Sequence, residues 1–542
     1  MKRFSLLLLL PVLITMNCLA DNSFTAPKSP IQESIEKYCA KLEDSKSVKL
    51  VNQKVIGNQE LINFYKSLDY TPLWEDSKNR ADLVDILADS YYEGLNPEDY
   101  HFDFIRSHNE DLKNKVRKDA DESAKADIIM TDAMLTYALH TIQGKLSPGD
   151  LDPNWNYSEN KVPDNVEIKV LHRLQSNTLK EGFENIRSQL PLYQNLKYWF
   201  ARYDSIQKAD GDIKVIEYPG SPLRLGDSSS VVGEIKMNLS NYSNSFNYSD
   251  NDLFDEDLQD ALMQFQSENG LDDDGIAGKE TFKMLNISIS DRLDIIRINM
   301  ERCRWVNNDI PDEFVLVNIV DYNLYLFKNK KVDYQCRVVV GKDANETPVF
   351  NSDIKYVVFN PTWTVPYSIS SKEILPKLKS DPRYLQDRNM TLLKGGDKVD
   401  PSTVDFNKYS KNNFPFTIRQ EPGPNNALGL VKFIFPNKHA VYLHDTPSKS
   451  YFERTDRAFS HGCVRVQNPL TFAELLLGDK GYDAEKISTT IKSKETKNVY
   501  LTEPMPVMLM YWTCFMNEGQ IYFYKDIYDR DKMILKEFYD KR

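Results

Sequence analysis

With 542 residues the chain is too long for one hydrophobic core, and that length implies about three domains. Hydrophobic residues at 41% and charged residues at 27% describe an ordinary soluble globular protein. Lys+Arg 68 against Asp+Glu 80 leaves a net charge of −12, which excludes nucleic acid or an anionic membrane as a general partner and leaves only a local basic groove open.

Met1-Lys2-Arg3 and an apolar run from Leu6 to Met16, too short to span a bilayer, precede Cys18-Leu19-Ala20. This is the pattern of an export signal over 1–20, cleaved after Ala20. A lipid-modified Cys18 and an uncleaved anchor are the alternatives. Cleavage leaves Cys39, Cys303, Cys336, Cys463 and Cys514, an odd set in which at least one thiol stays unpaired within the chain.

From 31 to 215 the text is largely helical. Val84, Leu87, Ala88 and Tyr91 share one helical face, and Gly94-Leu95-Asn96-Pro97 stops it. A longer helix carries Ile128, Leu135, Ala138, Leu139 and Ile142 and closes at Gly144. These stripes are core faces, and His101 and His140 among them are structural. Residues 223–286 form a small helical unit: Val231, Ile235 and Leu239 on one helix, then Leu258, Ala261, Leu262 and Phe265 on another, closing at Leu285. Leu293, Ile296 and Met300 mark a helical connector over 290–305, with Trp305 as its anchor.

Near Phe314 the period changes to strands: Phe314–Ile319, Tyr322–Phe327 and Arg337–Val340, with Asn329-Lys330 as a hairpin turn. The all-β text continues through Thr347-Pro348-Val349-Phe350 and Phe359–Trp363. Residues 371–425 interrupt it with helical text, Gly395-Gly396 and Pro422-Gly423-Pro424; an insertion of that length is more often functional than idle. Strands return at Val431–Phe435 and Ala440–Leu443 and deliver His444. Asn468-Pro469 caps a helix, and a strand over Pro506–Thr513 with an Asn517-Glu518-Gly519 hairpin finishes the chain, in an extension over 501–542.

Chemistry concentrates in Ser460-His461-Gly462-Cys463-Val464-Arg465. A thiolate is the working nucleophile of cysteine chemistry and needs a base or a positive field nearby. His461 lies two residues before Cys463 and His444 nineteen before it. Gly462, with no Cβ, can bend the backbone and present amide N–H groups to an oxyanion. The competing reading makes Cys463 a small buried hydrophobe. Zinc is not indicated, since no second cysteine sits at ligand spacing and no His-x-x-x-His is present. No phosphate loop is found, and no metal or cofactor is expected. Arg465 alternates with Cys463 along a strand-like segment, where it holds either a carboxylate or a structural salt bridge. Tyr442 lies on the same strand face as His444. The Asp445 carbonyl or side chain is placed to orient the His444 ring. His461 either supports the oxyanion or fixes the loop.

His444, Ser460, His461, Gly462, Cys463 and Arg465 together resemble the active-site signature of the L,D-transpeptidases. The resemblance implies that Cys463 attacks a peptidoglycan stem peptide with His444 as its base. It also implies release of D-alanine from a tetrapeptide donor, a thioester, and a 3→3 cross-link to a diaminopimelate acceptor. Gly94–His101 and Gly144–Pro148 resemble the helical scaffold of the large periplasmic members of that family. Gln266, Gly270-Leu271, Asp274-Gly275-Ile276, Gly278 and Thr281 resemble a three-helix peptidoglycan-binding-like domain, although Asn241–Ser245 replaces the expected glycine turn of its first half. The expected architecture is therefore α+β and multidomain. It comprises a helical scaffold (31–215), a peptidoglycan-binding-like domain (223–286), and a mainly-β catalytic domain (310–500) with a lid at 371–425. By the same resemblance the protein is periplasmic, works beside other cell-wall enzymes, and is acylated by carbapenems at Cys463. An endopeptidase or carboxypeptidase, a lipoprotein-to-wall transferase, and a non-catalytic wall-binding scaffold are the rival readings.

Overall fold

The computed structural model describes residues 27–540, except 46, 57–58, 152–154, 158–165, 212, 243–248, 250, 307–309 and 518. The export signal over 1–20 and Ser243–Ser245 of the departing turn lie outside the described residues. The chain divides into two units, Met1–Arg80 with Phe104–Asp132, and Ala81–Asp103 with Ala133–Arg542.

The first unit is helical with one hairpin. Helix Pro30–Asp44 starts on a reciprocal cap, in which the Ser29 hydroxyl accepts from the Gln32 amide and the Gln32 side chain accepts from the Ser29 amide. Strands β1 (Ser47–Leu50) and β2 (Gln53–Ile56) pair antiparallel through a turn at Val51-Asn52, a hairpin that the helical reading of this region did not include. Asp127 is buried and accepts the Tyr65 hydroxyl at 2.6 Å and the Trp74 amide at 3.0 Å, while burial pushes its carboxyl up to about 6.

In the second unit, helix Ile289–Arg304 is the connector foreseen from Leu293, Ile296 and Met300. Arg292, Arg302 and Arg304 on it are buried and need partners. Arg304 pairs with Glu301 at 2.9 Å and Arg302 with Asp531 at 2.6 Å. Trp305 does anchor it: the indole donates to the Leu146 carbonyl at 3.0 Å and meets Trp155 edge-on at 5.0 Å. The small helical unit has helices Ser230–Tyr242, Glu256–Glu268 and Lys279–Leu285. Gln266 is its knot. Its amide donates to Asp274 Oδ1 and the Ile276 carbonyl, both at 2.9 Å, and its oxygen accepts from the Gly275 amide at 2.8 Å. The Asp-Gly-Ile spacing is thus explained by local packing. His140 is structural, with Nδ1 accepting from the Tyr100 hydroxyl at 3.0 Å, and burial pushes its ring down to about 3.

The mainly-β part contains β3 (Phe314–Asn318), β4 (Asn323–Lys328), β5 (Lys331–Gly341), β6 (Phe350–Phe359) and β7 (Trp363–Thr364). It continues with β8 (Met390–Lys394), β9 (Asp397–Val399), β10 (Thr417–Gln420), β11 (Val431–Ile434) and β12 (Leu443–His444). Last come β13 (Ala458–Ser460), β14 (Val464–Val466), β15 (Lys497–Met510), β16 (Cys514–Asn517) and β17 (Gln520–Phe523). Asn329 and Lys330 turn β4 into β5, both with φ in the left-handed region, as a two-residue hairpin of this twist requires. Nine strands order as β13-β5-β14-β12-β11-β6-β15-β3-β4, and a further β4–β5 pairing closes the sheet on itself. Val317, Leu324, Leu326, Val338, Val357 and Leu509 are fully buried within it. The antiparallel pattern is broken where β12 runs parallel to β14, β3 to β15 and β13 to β5.

Strand β15 pairs with β6 from Lys497 onward, so residue 501 lies inside this strand rather than at the start of an appendage. The chain closes with the β16–β17 hairpin and a helix, Asp531–Asp540, that the sequence text did not announce. The insert builds its own four-stranded sheet, β7-β10-β8-β9, beginning at Trp363. Its own core includes Ile374, Leu378, Leu385, Phe406, Phe416 and Ile418.

Candidate active site

Three strands set the site. Lys432 on β11 stands opposite His444 on β12, and His444 stands beside Arg465 on β14. Residues directly opposed across a sheet share a face, and so do residues two apart along one strand. Tyr442 and Cys463 stand just ahead of β12 and β14; the Tyr442 carbonyl accepts from the Val464 amide at 3.2 Å, and Tyr442, Arg465 and Lys432 all act on the Cys463 thiol. The parallel β12–β14 pairing is what brings the two motif segments together.

The His444 ring is buried, and its Nδ1 donates to the Asp445 backbone carbonyl at 2.5 Å. That bond fixes the tautomer and leaves Nε2 as the unprotonated nitrogen. Of the two orienting groups foreseen on Asp445, the carbonyl does the work. The carboxylate is engaged elsewhere: it accepts from the Leu430 amide at 2.8 Å, the Thr446 amide at 2.7 Å and Lys449 at 2.5 Å. Gly429, with φ +59°, passes so close to this carboxylate that a Cβ there would sit 2.3 Å from it.

The turn before β14 is held from inside. Ser460 Oγ donates to the Cys463 carbonyl at 2.5 Å and accepts from the Gly462 amide at 3.1 Å. Gly462 has φ +108°, a conformation that L side chains rarely adopt. Its N–H is therefore spent on Ser460 and is not presented to an oxyanion, and its carbonyl accepts from the Thr347 hydroxyl at 3.0 Å. Cys463 Sγ donates toward the Ala440 carbonyl at 3.8 Å.

Burial pushes the Cys463 thiol up, opposed by the Tyr442 amide and hydroxyl and by the charges of Arg465 and Lys432. Burial pushes the His444 imidazole down to about 3, helped by Arg465 and Lys432 and opposed by the Asp445 carbonyl. Both shifts favour a neutral thiol and a neutral imidazole at rest. Lys432 and Arg465 are both held below their usual range by burial. Lys432 lies 5.6 Å from the Tyr442 ring centre and Arg465 lies 5.9 Å from that of Tyr451.

His461 meets Glu373 of the insert, Nε2 to Oε1 at 2.8 Å. Glu373 sits on a wide π-type turn, Ser370–Ile374. Lys432 and Glu373 were not picked out from the sequence. For Lys432 a signal was present, since it is the lone charge in Val431-Lys432-Phe433-Ile434. For Glu373 there was none. The five cysteines of the described chain are free thiols, and among the described residues no group of three His, Cys, Asp or Glu side chains is placed to hold a metal ion.

Residues 312–499 match the family model of the L,D-transpeptidase catalytic domain (YkuD). Over those residues the chain is similar to the L,D-transpeptidase catalytic domain. Residues 59–199 match a scaffold domain, and residues 228–285 match a domain described as "Putative peptidoglycan binding domain". A Haemophilus influenzae protein described as "Putative L,D-transpeptidase" is 37% identical over 242 residues, 44% of this chain and 48% of that protein. The match thus spans about half the length of that relative. The solved L,D-transpeptidase of Stackebrandtia nassauensis aligns over 56% of this chain and all of its own at 14% identity and TM-score 0.21. That of Xylanimonas cellulosilytica aligns over 54% of this chain and all of its own, at 14% identity and TM-score 0.17. The transpeptidase domain contains the β11–β12–β14 face, so all the candidate residues lie inside it.

Proposed function

We propose that the transpeptidase domain forms 3→3 cross-links in peptidoglycan through a thioester on Cys463. The observation that carries this reading is the His444–Asp445 bond, which leaves an unprotonated Nε2 on a histidine that pairs with Arg465, two residues beyond Cys463. Sγ attacks the carbonyl of the diaminopimelate L-centre in a tetrapeptide donor as Nε2 takes the thiol proton. Because both groups are neutral at rest, proton transfer accompanies attack. The C–N bond to D-alanine then breaks, the leaving amine takes the proton from His444, and the thioester remains. The amine of a second stem attacks that thioester, the new C–N bond forms as the C–S bond breaks, and the amine's proton passes through His444 to the leaving sulfur, restoring the thiol.

The Cys463 amide, rather than that of Gly462, serves as an oxyanion donor. Arg465 and Lys432 favour an anionic substrate and the developing thiolate, and Arg465 holds a stem-peptide carboxylate. Tyr442 steadies the sulfur, and His461 fixes the turn through Glu373. The insert acts as a lid. The export-signal pattern of residues 1–20 and a wall substrate support a periplasmic location, beside other wall-building enzymes. The peptidoglycan-binding-like domain keeps the chain on the wall.

The test is incubation with a disaccharide-tetrapeptide and intact-mass analysis of the products. A cross-linked dimer lacking one D-alanine supports the reading. A tripeptide alone means a hydrolase, and no product under conditions that acylate Cys463 rejects this donor.

A further inference from the structure

The chain beyond the transpeptidase match returns beneath the candidate site. Tyr528 is buried, and its hydroxyl donates to the Gly341 carbonyl at 2.6 Å and accepts from the Thr347 amide at 3.2 Å. Thr347 is fully buried; its hydroxyl accepts from the Gly341 amide at 2.9 Å and donates to the Gly462 carbonyl at 3.0 Å. A continuous line of hydrogen bonds therefore runs from the C-terminal extension to the peptide that precedes the nucleophile.

Tyr528 is itself held firmly. Its amide donates to the Tyr511 hydroxyl at 2.9 Å, its ring stacks on Tyr511 at 5.5 Å, and Tyr511 donates to Asp526 at 2.5 Å. Arg530 lies 5.1 Å from the Tyr528 ring centre and pairs with Glu346, the neighbour of Thr347. Both ends of the 341–347 loop are thus tied to the segment Asp526–Arg530.

A trans peptide is planar, with its C=O and the following N–H on opposite sides, and no peptide bond among the described residues is cis. The Gly462 carbonyl is drawn down onto Thr347. The Cys463 N–H, on the other side of the same plane, must then face away from Thr347. We propose that Tyr528 and Thr347 are positioning residues that set the Cys463 amide as oxyanion donor, so that the C-terminal extension completes the transpeptidase site. This rests on the acyl-transfer reading above.

The test separates two reactions of one sulfur. Acylation by a carbapenem develops an oxyanion; alkylation by iodoacetamide does not. Thr347→Val and Tyr528→Phe should each lower the carbapenem acylation rate, by about 10- to 100-fold for Thr347→Val, less than or equal to the loss of a whole oxyanion donor. The alkylation rate should stay within about twofold of the parent, because the predicted loss falls on the oxyanion alone. Thr347→Ser, which keeps the hydroxyl, should restore acylation. Unchanged acylation in both variants overturns the proposal. Equal loss of acylation and alkylation also overturns it, because that marks general support of the fold. If Thr347→Val fails to fold, Tyr528→Phe alone decides. If the parent is not acylated at Cys463, the acyl-transfer reading itself fails.

Discussion

Lys432 and His444 stand directly opposite each other on antiparallel strands, so a lysine with a partly buried ammonium faces the histidine of the site. Its charge favours a thiolate on Cys463 and disfavours an imidazolium on His444. Lys432→Met should therefore slow alkylation of Cys463 at fixed neutral pH while leaving the sheet intact. Stopped-flow alkylation with a circular-dichroism check measures both. An unchanged alkylation rate would remove Lys432 from the electrostatics of the site.

The resting thiol is neutral because burial outweighs the stabilising donors around it. The thiolate fraction, and with it the alkylation rate, should keep rising with pH through 9 with no plateau near neutrality. A plateau at neutral pH would mean a preformed thiolate–imidazolium pair. Stability carries its own signature. His444 and His140 titrate near 6.5 when unfolded and near 3 when folded. On these two rings the unfolded chain binds protons first, so their contribution to stability is full above 6.5 and is lost as pH falls from 6.5 toward 3, while the raised carboxyls of Asp127 and Asp321 act in the opposite sense. Denaturant titrations across that window should show a smaller acid-side fall, or a larger rise, of the midpoint in His140→Phe than in the parent.

Gly429→Ala places a methyl group on the Asp445 carboxylate in a left-handed backbone conformation. The backbone alone should cost about 1–3 kcal/mol. Displacing Asp445 also shifts the carbonyl that holds the His444 tautomer, so Tm and turnover should fall together. A variant with parental Tm would show that the loop relaxes around the added methyl.

Trimming Tyr367–Phe416 to a short Gly-Ser link removes most of the insert but keeps β7 paired with β10. Because the insert has its own sheet and core, the remaining barrel should fold and still be acylated by a carbapenem. Loss of the cover should shift products from dimer toward tripeptide, since water then reaches the thioester. Equal dimer yield would make the insert an ornament. Loss of acylation would make it part of the core.

The histidine and cysteine were legible because a reactive side chain sits in a short motif. The β4–β5 hairpin and the helix Pro469–Leu477 were legible because Asn-Lys and Asn-Pro fix local backbone geometry. What escaped depends on distant pairing. Lys432 gains meaning only from its register with His444, and Thr347 and Tyr528 only from a loop and a C-terminal segment that meet in three dimensions. Strand β15 was read late because its first half, Lys497–Glu503, is mostly exposed and polar, with a register shift before Met505. The insert was read as starting at 371 because Trp363 looks like sheet text, and it is, but of the other sheet. The Gly462 amide was an obvious oxyanion donor until Ser460 claimed it.

The central claim is a covalent acyl-enzyme on one sulfur. The direct measurement is peptide mapping by mass spectrometry of the full chain quenched during incubation with a disaccharide-tetrapeptide, beside Cys463→Ala. The account predicts a thioester adduct on the Cys463 peptide that lacks D-alanine, and in Cys463→Ala no adduct and no dimer with the fold intact. An adduct on Cys39, Cys303, Cys336 or Cys514, or undiminished dimer from Cys463→Ala, would contradict it.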